Sequence, residues 1–403
     1  MATIPLQEPV YRGADGPVFF AAGFRPFFLF AALQAAVMLP AWLAVFFGVL
    51  PVPGQWNPVV WHAHAMVFGF AGAAVAGFLL TAVPSWTNTP YVSGRPLMTL
   101  FALWLAGRVT VAAAAVLPPL VVAVADLSFL PLLAVLAARP LIQAGKGRNI
   151  IFLPILGLLW LADLCVHVEA MGGPDIGLRG IYLGIFIVLL LIAVIGGRII
   201  PSFTQNWLRM QGSPVEMAAV GWIEKGGAPA SVALAAAAHL VLPSSPVAGG
   251  ALLVAAGVHF YRLSGWHGLA TLGNPILAVL HVGYFWMVLG FALLGLSSFV
   301  EALPASAAIH ALTAGCIGTM VIGVMSRAAL GHSGRPLQLA PATVVAYVLI
   351  SVGAILRVVA PVVPGAMVVL TLAGGVAWTA GWLVYIAVYL PIVTRPRADG
   401  RPG

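Results

Sequence analysis

The chain reads as long apolar runs separated by short polar breaks. The runs extend about 18–25 residues without polar alternation, the length a helix needs to cross a bilayer. A transmembrane barrel would instead alternate polar and apolar positions over roughly ten-residue segments. Twelve spans are read, at approximately 27–50, 63–84, 97–117, 119–138, 150–171, 179–199, 226–243, 246–262, 275–297, 305–326, 338–360 and 366–391. The breaks carry turn chemistry, as in Pro51-Val52-Pro53-Gly54, Ser93-Gly94-Arg95-Pro96 and Gly172-Gly173-Pro174. The expected fold class is therefore all-α, a polytopic membrane helical bundle of about twelve transmembrane helices. One integral membrane domain is expected over 1–403, with 1–26 and 392–403 as cytoplasmic terminal segments. The stretch Gln205 to Gly227 is mixed, and predicts an interfacial helix ahead of a short seventh span. No internal repeat is read beyond the regular hairpins.

Composition sharpens the picture. The 403 residues are 62% hydrophobic and 7% charged, whereas soluble domains carry about 25% charged residues. A soluble enzyme or a nucleic-acid-binding protein is excluded. The net charge of +8 is a topology signal. With the N-terminus in the cytoplasm, all Lys and Arg except Arg108, Arg179 and Arg357 fall on the cytoplasmic side. Met1 to Gly23 has no apolar core followed by a cleavage site, so no removable signal is expected. Cys165 and Cys316 lie inside apolar runs and read as small buried hydrophobes.

Polar, metal-competent side chains inside such runs are costly, and so point to function. Trp61-His62-Ala63-His64 opens the second span. Residues i and i+2 of a helix point to nearly opposite sides. The two imidazoles therefore serve one metal only if His62 precedes the regular helix, and His64 is expected inside the bundle ahead of it. His281 and His310 also sit among glycines and aromatics. His310 and His332 bracket one span, about 33 Å apart at 1.5 Å per residue, so they do not share a metal unless the helix breaks. His167 and His259 are secondary candidates. Imidazole is a common ligand of haem iron and copper. Arg108, Asp126 and Asp163 are charges within spans three to five. Arg108 either pairs with Asp126 or Asp163, or holds an anionic group such as a haem propionate. Arg25 and Arg198 raise the same alternative at the inner face. No CxxCH, HExxH, Walker or dinucleotide-binding motif is present, so any haem is non-covalent.

The ordered segments GFRPFF (Gly23 to Phe28), WHAHAMVFGF (Trp61 to Phe70), GFLLTAVPSWT (Gly77 to Thr87), LWLAGR (Leu103 to Arg108), GGRIIPSFT (Gly196 to Thr204), HVGYFWMVLGFALL (His281 to Leu294) and HALTAGCIGTMVIGVMSRAALGHSGRPL (His310 to Leu337) resemble the NnrS family. The resemblance implies a haem- and copper-containing protein of the bacterial cytoplasmic membrane. It implies haem b, one or two, held non-covalently, with copper as a further metal. It implies binding of nitric oxide in nitrosative stress defence or denitrification, with reduction to nitrous oxide as the catalytic reading and a quinol or cytochrome as electron donor. The family's histidines map onto His62, His64, His281, His310 and His332, and its arginines onto Arg25, Arg108, Arg198, Arg327 and Arg335. One departure stands out: the family reads WHAHEM where this chain has Ala65. From other classes, a transporter of a metal or small solute and a non-catalytic haem or nitric oxide sensor also fit twelve spans with buried His, Arg and Asp.

Overall fold

A computed structural model describes residues 16–401, apart from 146, 214 and 218–220, and omits the side chains of 147 and 148. The part of the N-terminal segment before Gly16 lies outside the described residues. Those residues form helices and no strand. Ten helices are long and apolar enough to cross a membrane. In the numbering used below they are α1 (Phe24–Phe46), α2 (Pro58–Thr87), α4 (Pro119–Gln143), α5 (Phe152–Ala170), α6 (Gly177–Met210), α8 (Pro246–Ser264), α9 (Pro275–Leu296), α10 (Ala305–His332), α11 (Pro341–Val362) and α12 (Pro364–Thr394). Two shorter helices, α3 (Arg95–Ala112) and α7 (Ala228–Val241), stand where the sequence predicts the third and seventh spans. The bundle of about twelve membrane helices is thus observed. Exposed apolar side chains such as Val121, Val124 and Val135 are what a lipid-facing surface requires.

The chain divides into two compact units. The first comprises the residues up to Gly184 with Arg327–Leu337 and the segment from Tyr385 onward; the second comprises Ile185–Ser326 and Gln338–Val384. In the first unit, α2 starts where Asn57 caps it, its side chain accepting from the backbone N–H of Val59 at 2.9 Å and of Val60 at 3.3 Å. Pro58 follows at the first helical position, where no donor is lost. After His64 the helix widens into a π-segment, Ala65–Ala71. Such widening turns backbone carbonyls outward to new partners. Trp104 Nε1 donates to the Gly69 carbonyl at 3.1 Å, and Gln34 Nε2 to that of Ala65 at 3.3 Å. These bonds tie α2 to α3 and α1.

The expected absence of a repeat is corrected by the structure. Helix α10 widens in the same way over Ala311–Ile317, directly after His310. Gly69, Gly72 and Gly77 follow His64 at the same spacings as Gly315, Gly318 and Gly323 follow His310. Their packing matches too. A Cβ on Gly69 would press Gln34 of α1, and one on Gly315 would press Trp286 of α9. Gly77 lies against Phe27 and Phe28, and Gly323 against Val279 and Leu280. Gly107 of α3 meets Asp126 of α4, as Gly353 of α11 meets Gly374 of α12. Helices α1–α4 and α9–α12, a first and a second four-helix module, therefore share one pattern of glycine spacing, π-widening and close contacts. Hydropathy hides this because close packing fixes the glycines alone and leaves the apolar residues between them free to drift.

At the C-terminus, Arg25 Nη1 donates to the carbonyls of Val393 and Arg395, both at 2.8 Å. Arg397 pairs with Asp399 and donates to the His332 carbonyl at 2.8 Å. Its guanidinium holds the Asp399 carboxyl down to about 2.

Candidate metal centre

Four buried donors converge in the first unit: His64 from α2, Asp126 from α4, and Asp163 and His167 from α5. One ligand atom from each lies within 4.8 Å of all the others. His64 Nε2 stands 2.8 Å from Asp126 Oδ2 and 2.9 Å from Asp163 Oδ1. His167 Nε2 stands 3.0 Å from Asp126 Oδ2 and 3.8 Å from Asp163 Oδ1. The other Asp126 oxygen pairs with Arg108. None of the four residues is more than 3% exposed.

Local structure explains the convergence. Asp163 and His167 are four apart on α5, so they share a face. Gly107 has no side chain where α3 meets α4, since a Cβ there would stand 3.0 Å from the Asp126 Cα and overlap its carboxylate. That gap lets the next residue, Arg108, reach Asp126. Trp56 covers the imidazoles edge-on, with ring centroids 5.0 Å from His64 and 5.5 Å from His167, and Phe68 lies 5.2 Å from His64. These rings keep bulk water from the donors.

The charge balance leaves room for a cation. Two carboxylates and one guanidinium leave one negative charge in excess when both imidazoles are neutral. Uncompensated charge inside a membrane is expensive, so a proton on the imidazoles or a cation must answer it. The spacing suits an ion. Ligand atoms about 2.0–2.2 Å from a first-row metal stand about 3.0–3.5 Å apart around it, and three of the four distances above lie close to that range. His64 Nδ1 is buried with no hydrogen-bond partner among the described residues, so only Nε2 of that ring is engaged. A haem iron does not fit the same point. Its macrocycle fills four coordination positions and leaves two axial ones, with no place for two carboxylates wedged between the imidazoles.

The other predicted residues separate. His62 is half-buried and stacks on Trp42 of α1, with centroids 4.5 Å apart, and it is outside the four-donor set. His64→Ala should therefore cost metal affinity at least the 10–100-fold typical of a lost outer-shell partner, and His62→Ala should leave it unchanged; metal titration of both variants checks this. His332 Nδ1 meets the Tyr91 hydroxyl at 2.9 Å, in the first unit. In the second unit, His310 Nδ1 donates to the Ser306 carbonyl at 2.7 Å, and His281 Nε2 meets Thr204 Oγ1 at 2.9 Å. His259 Nδ1 lies 2.7 Å from the Tyr284 hydroxyl. Arg262 donates to that hydroxyl at 3.0 Å and to Glu224 at 2.7 and 2.6 Å. Arginine has no acceptor, so the Tyr284 proton must go to His259 Nδ1. Of the arginines, Arg108 takes the ion-pair role with Asp126, Arg25 holds the C-terminal carbonyls, and Arg198 and Arg327 are half-buried on α6 and α10.

In the sequence, Asp126 and Asp163 present themselves only as charge partners of Arg108. The signal that gives them more is Asp163 and His167 at helical spacing, inside a run that tolerates no idle charge.

Fold and site together define a multi-pass membrane protein with a buried, metal-competent His/Asp centre. The chain belongs to the NnrS family: the model described as NnrS protein matches residues 18–397, nearly its whole length. A search of curated proteins finds no match. Membership fits a nitric oxide response protein and suggests metal or haem involvement.

Proposed function

We propose that this protein binds nitric oxide at a metal ion held by His64, Asp126, Asp163 and His167, and detoxifies it by reduction to nitrous oxide. The observation that carries the reading is the convergence of those four donors, buried inside a membrane bundle. An iron or copper ion bound there supplies the open coordination position for the gas and the capacity to exchange electrons with it. The chain's own residues do the rest. Asp126 and Asp163 hold the ion by charge and oxygen donation, and the imidazoles complete the set. Arg108 fixes Asp126 in place and offsets part of its charge. Trp56 and Phe68 wall the donors from bulk water. Apolar walls suit a small uncharged substrate that enters through lipid.

Haem b belongs to the proposal through imidazoles outside this cluster: His281, His310 and His332, with His259 behind them. In His310 and His332 it is Nδ1 that is held by an oxygen, a contact that fixes the ring's orientation and leaves Nε2 for a metal. The positive-inside bias supports cytoplasmic termini and a place in the cytoplasmic membrane, with a quinol or cytochrome as donor.

Metal analysis and an optical spectrum of the purified protein test the reading. The expected result is at least one first-row metal per chain, a spectrum altered by nitric oxide, and nitrous oxide release once a reductant is added. A metal-free, colourless protein indifferent to the gas would sink it, and would return the chain to the transporter reading.

A further inference from the structure

The two four-helix modules differ at the place where the first one holds its donors. In the first, Gly107 packs on Asp126 and Arg108 pairs with that carboxylate. In the second, Gly353 packs on Gly374, which has no side chain to offer. The second module also has an arginine on this face, Arg357, one helical turn further from its glycine than Arg108 is from Gly107. It is the only charged residue between Arg335 and Arg395. Its carboxylate partner is missing: no Asp or Glu oxygen lies within 4.0 Å of it among the described residues. What it does meet is Ser306 Oγ, 3.5 Å from Nη2. Ser306 also receives the His310 Nδ1 proton on its carbonyl at 2.7 Å, and His310 is the counterpart of His64. Arg357 Nη1 is buried and has no hydrogen-bond partner among the described residues.

We infer that Arg357 and Ser306 form a second ligand site, at the second module's counterpart of the metal centre, and that it takes an oxoanion of the phosphate class. A guanidinium inside a membrane span needs a compensating negative charge. The first module supplies one from its own chain through Asp126. The second supplies none, so the charge must arrive with the ligand. A guanidinium presents a planar fork of donors that matches two oxygens of one phosphate, and the Ser306 hydroxyl adds a third donor beside it. The phosphate comes either as the free ion or as the headgroup of an anionic lipid, since Arg357 lies in the last turn of its α-helix, close to the end of the span. The site is independent of the nitric oxide reading, because it contains none of the four metal donors.

The test uses the full-length protein, delipidated in a maltoside detergent that carries no phosphate. One arm titrates inorganic phosphate by calorimetry; the other adds phosphatidylglycerol and counts retained lipid by native mass spectrometry. Wild type should take up one equivalent in one of the two arms. Arg357→Gln should weaken that uptake at least tenfold, the loss expected of a charge-assisted hydrogen bond, and Ser306→Ala should weaken it less. Uptake in the first arm identifies a free-ion site; uptake in the second alone identifies a lipid site. Arg179→Gln, another outer-side arginine, serves as the control and should bind as wild type does. Equal uptake by wild type and Arg357→Gln, or none by wild type in either arm, would overturn the inference. Thermal melting provides a second readout. Arg357→Met should melt as wild type does without ligand, and only wild type should gain stability when ligand is added. The same gain in both would also refute the site.

Discussion

Asp126→Asn is expected to empty the metal centre and to destabilise the protein by about 3–5 kcal/mol, the cost of removing one partner from a buried ion pair. Asp126 is the one residue that touches every other class of group in the site: both imidazoles through Oδ2 and Arg108 through Oδ1. Its loss leaves two acceptor-seeking rings and a guanidinium facing a neutral amide. Asp163→Asn tests the same site with less collateral effect, since Asp163 lies 2.9 Å from His64 but makes no pair with Arg108. Metal content should fall in both variants. The chemical-denaturation midpoint should fall clearly further in Asp126→Asn. Retention of full metal content in both would remove these carboxylates from the site.

The second large effect is expected from glycines. Gly107→Ala places a methyl group 3.0 Å from the Asp126 Cα, and Gly353→Ala places one 2.9 Å from the Gly374 carbonyl oxygen. Neither neighbour is a flexible side-chain end, so helices must part, at about 1–3 kcal/mol for such overpacking. The two variants should lose similar stability because the modules pack alike. They should differ in chemistry. Gly107→Ala shifts Asp126 and should lower metal content; Gly353→Ala disturbs a helix contact with no donor in it and should keep the metal. Paired thermal melts and metal analyses read both outcomes. Equal metal loss in the two variants would mean that the effect is general unfolding.

The helices are legible in the amino-acid sequence. Continuous apolar runs and their turn residues define them, because a bilayer leaves the backbone no other way to satisfy its hydrogen bonds. The third and seventh spans form the two shortest of the twelve helices, Arg95–Ala112 and Ala228–Val241, and the stretch from Gln205 to Gly227 shows in the sequence as a run of mixed polarity. His64 is separable from His62 by helix geometry alone. The donor set is less legible. Asp126 and Asp163 look like partners for Arg108 because a buried charge explains itself by pairing, and sequence does not reveal which oxygens face a third residue. The repeat is the least visible feature. It rests on three glycines after each of two histidines and on π-segments that no hydropathy pattern announces. Ala65 opens the first of these segments. Ala65 is buried there, a methyl group at the position where the resemblance implies a glutamate.

X-ray absorption at the metal edge of the purified protein, recorded with and without nitric oxide, decides whether the four donors hold a gas-binding metal. The expected result is nitrogen and oxygen ligands only, at about 2.0–2.2 Å, with no porphyrin signature for this metal, a shell that changes when the gas is added, and loss of the signal in His167→Ala. A haem-only spectrum, a sulfur ligand, or a shell unchanged by nitric oxide would contradict it.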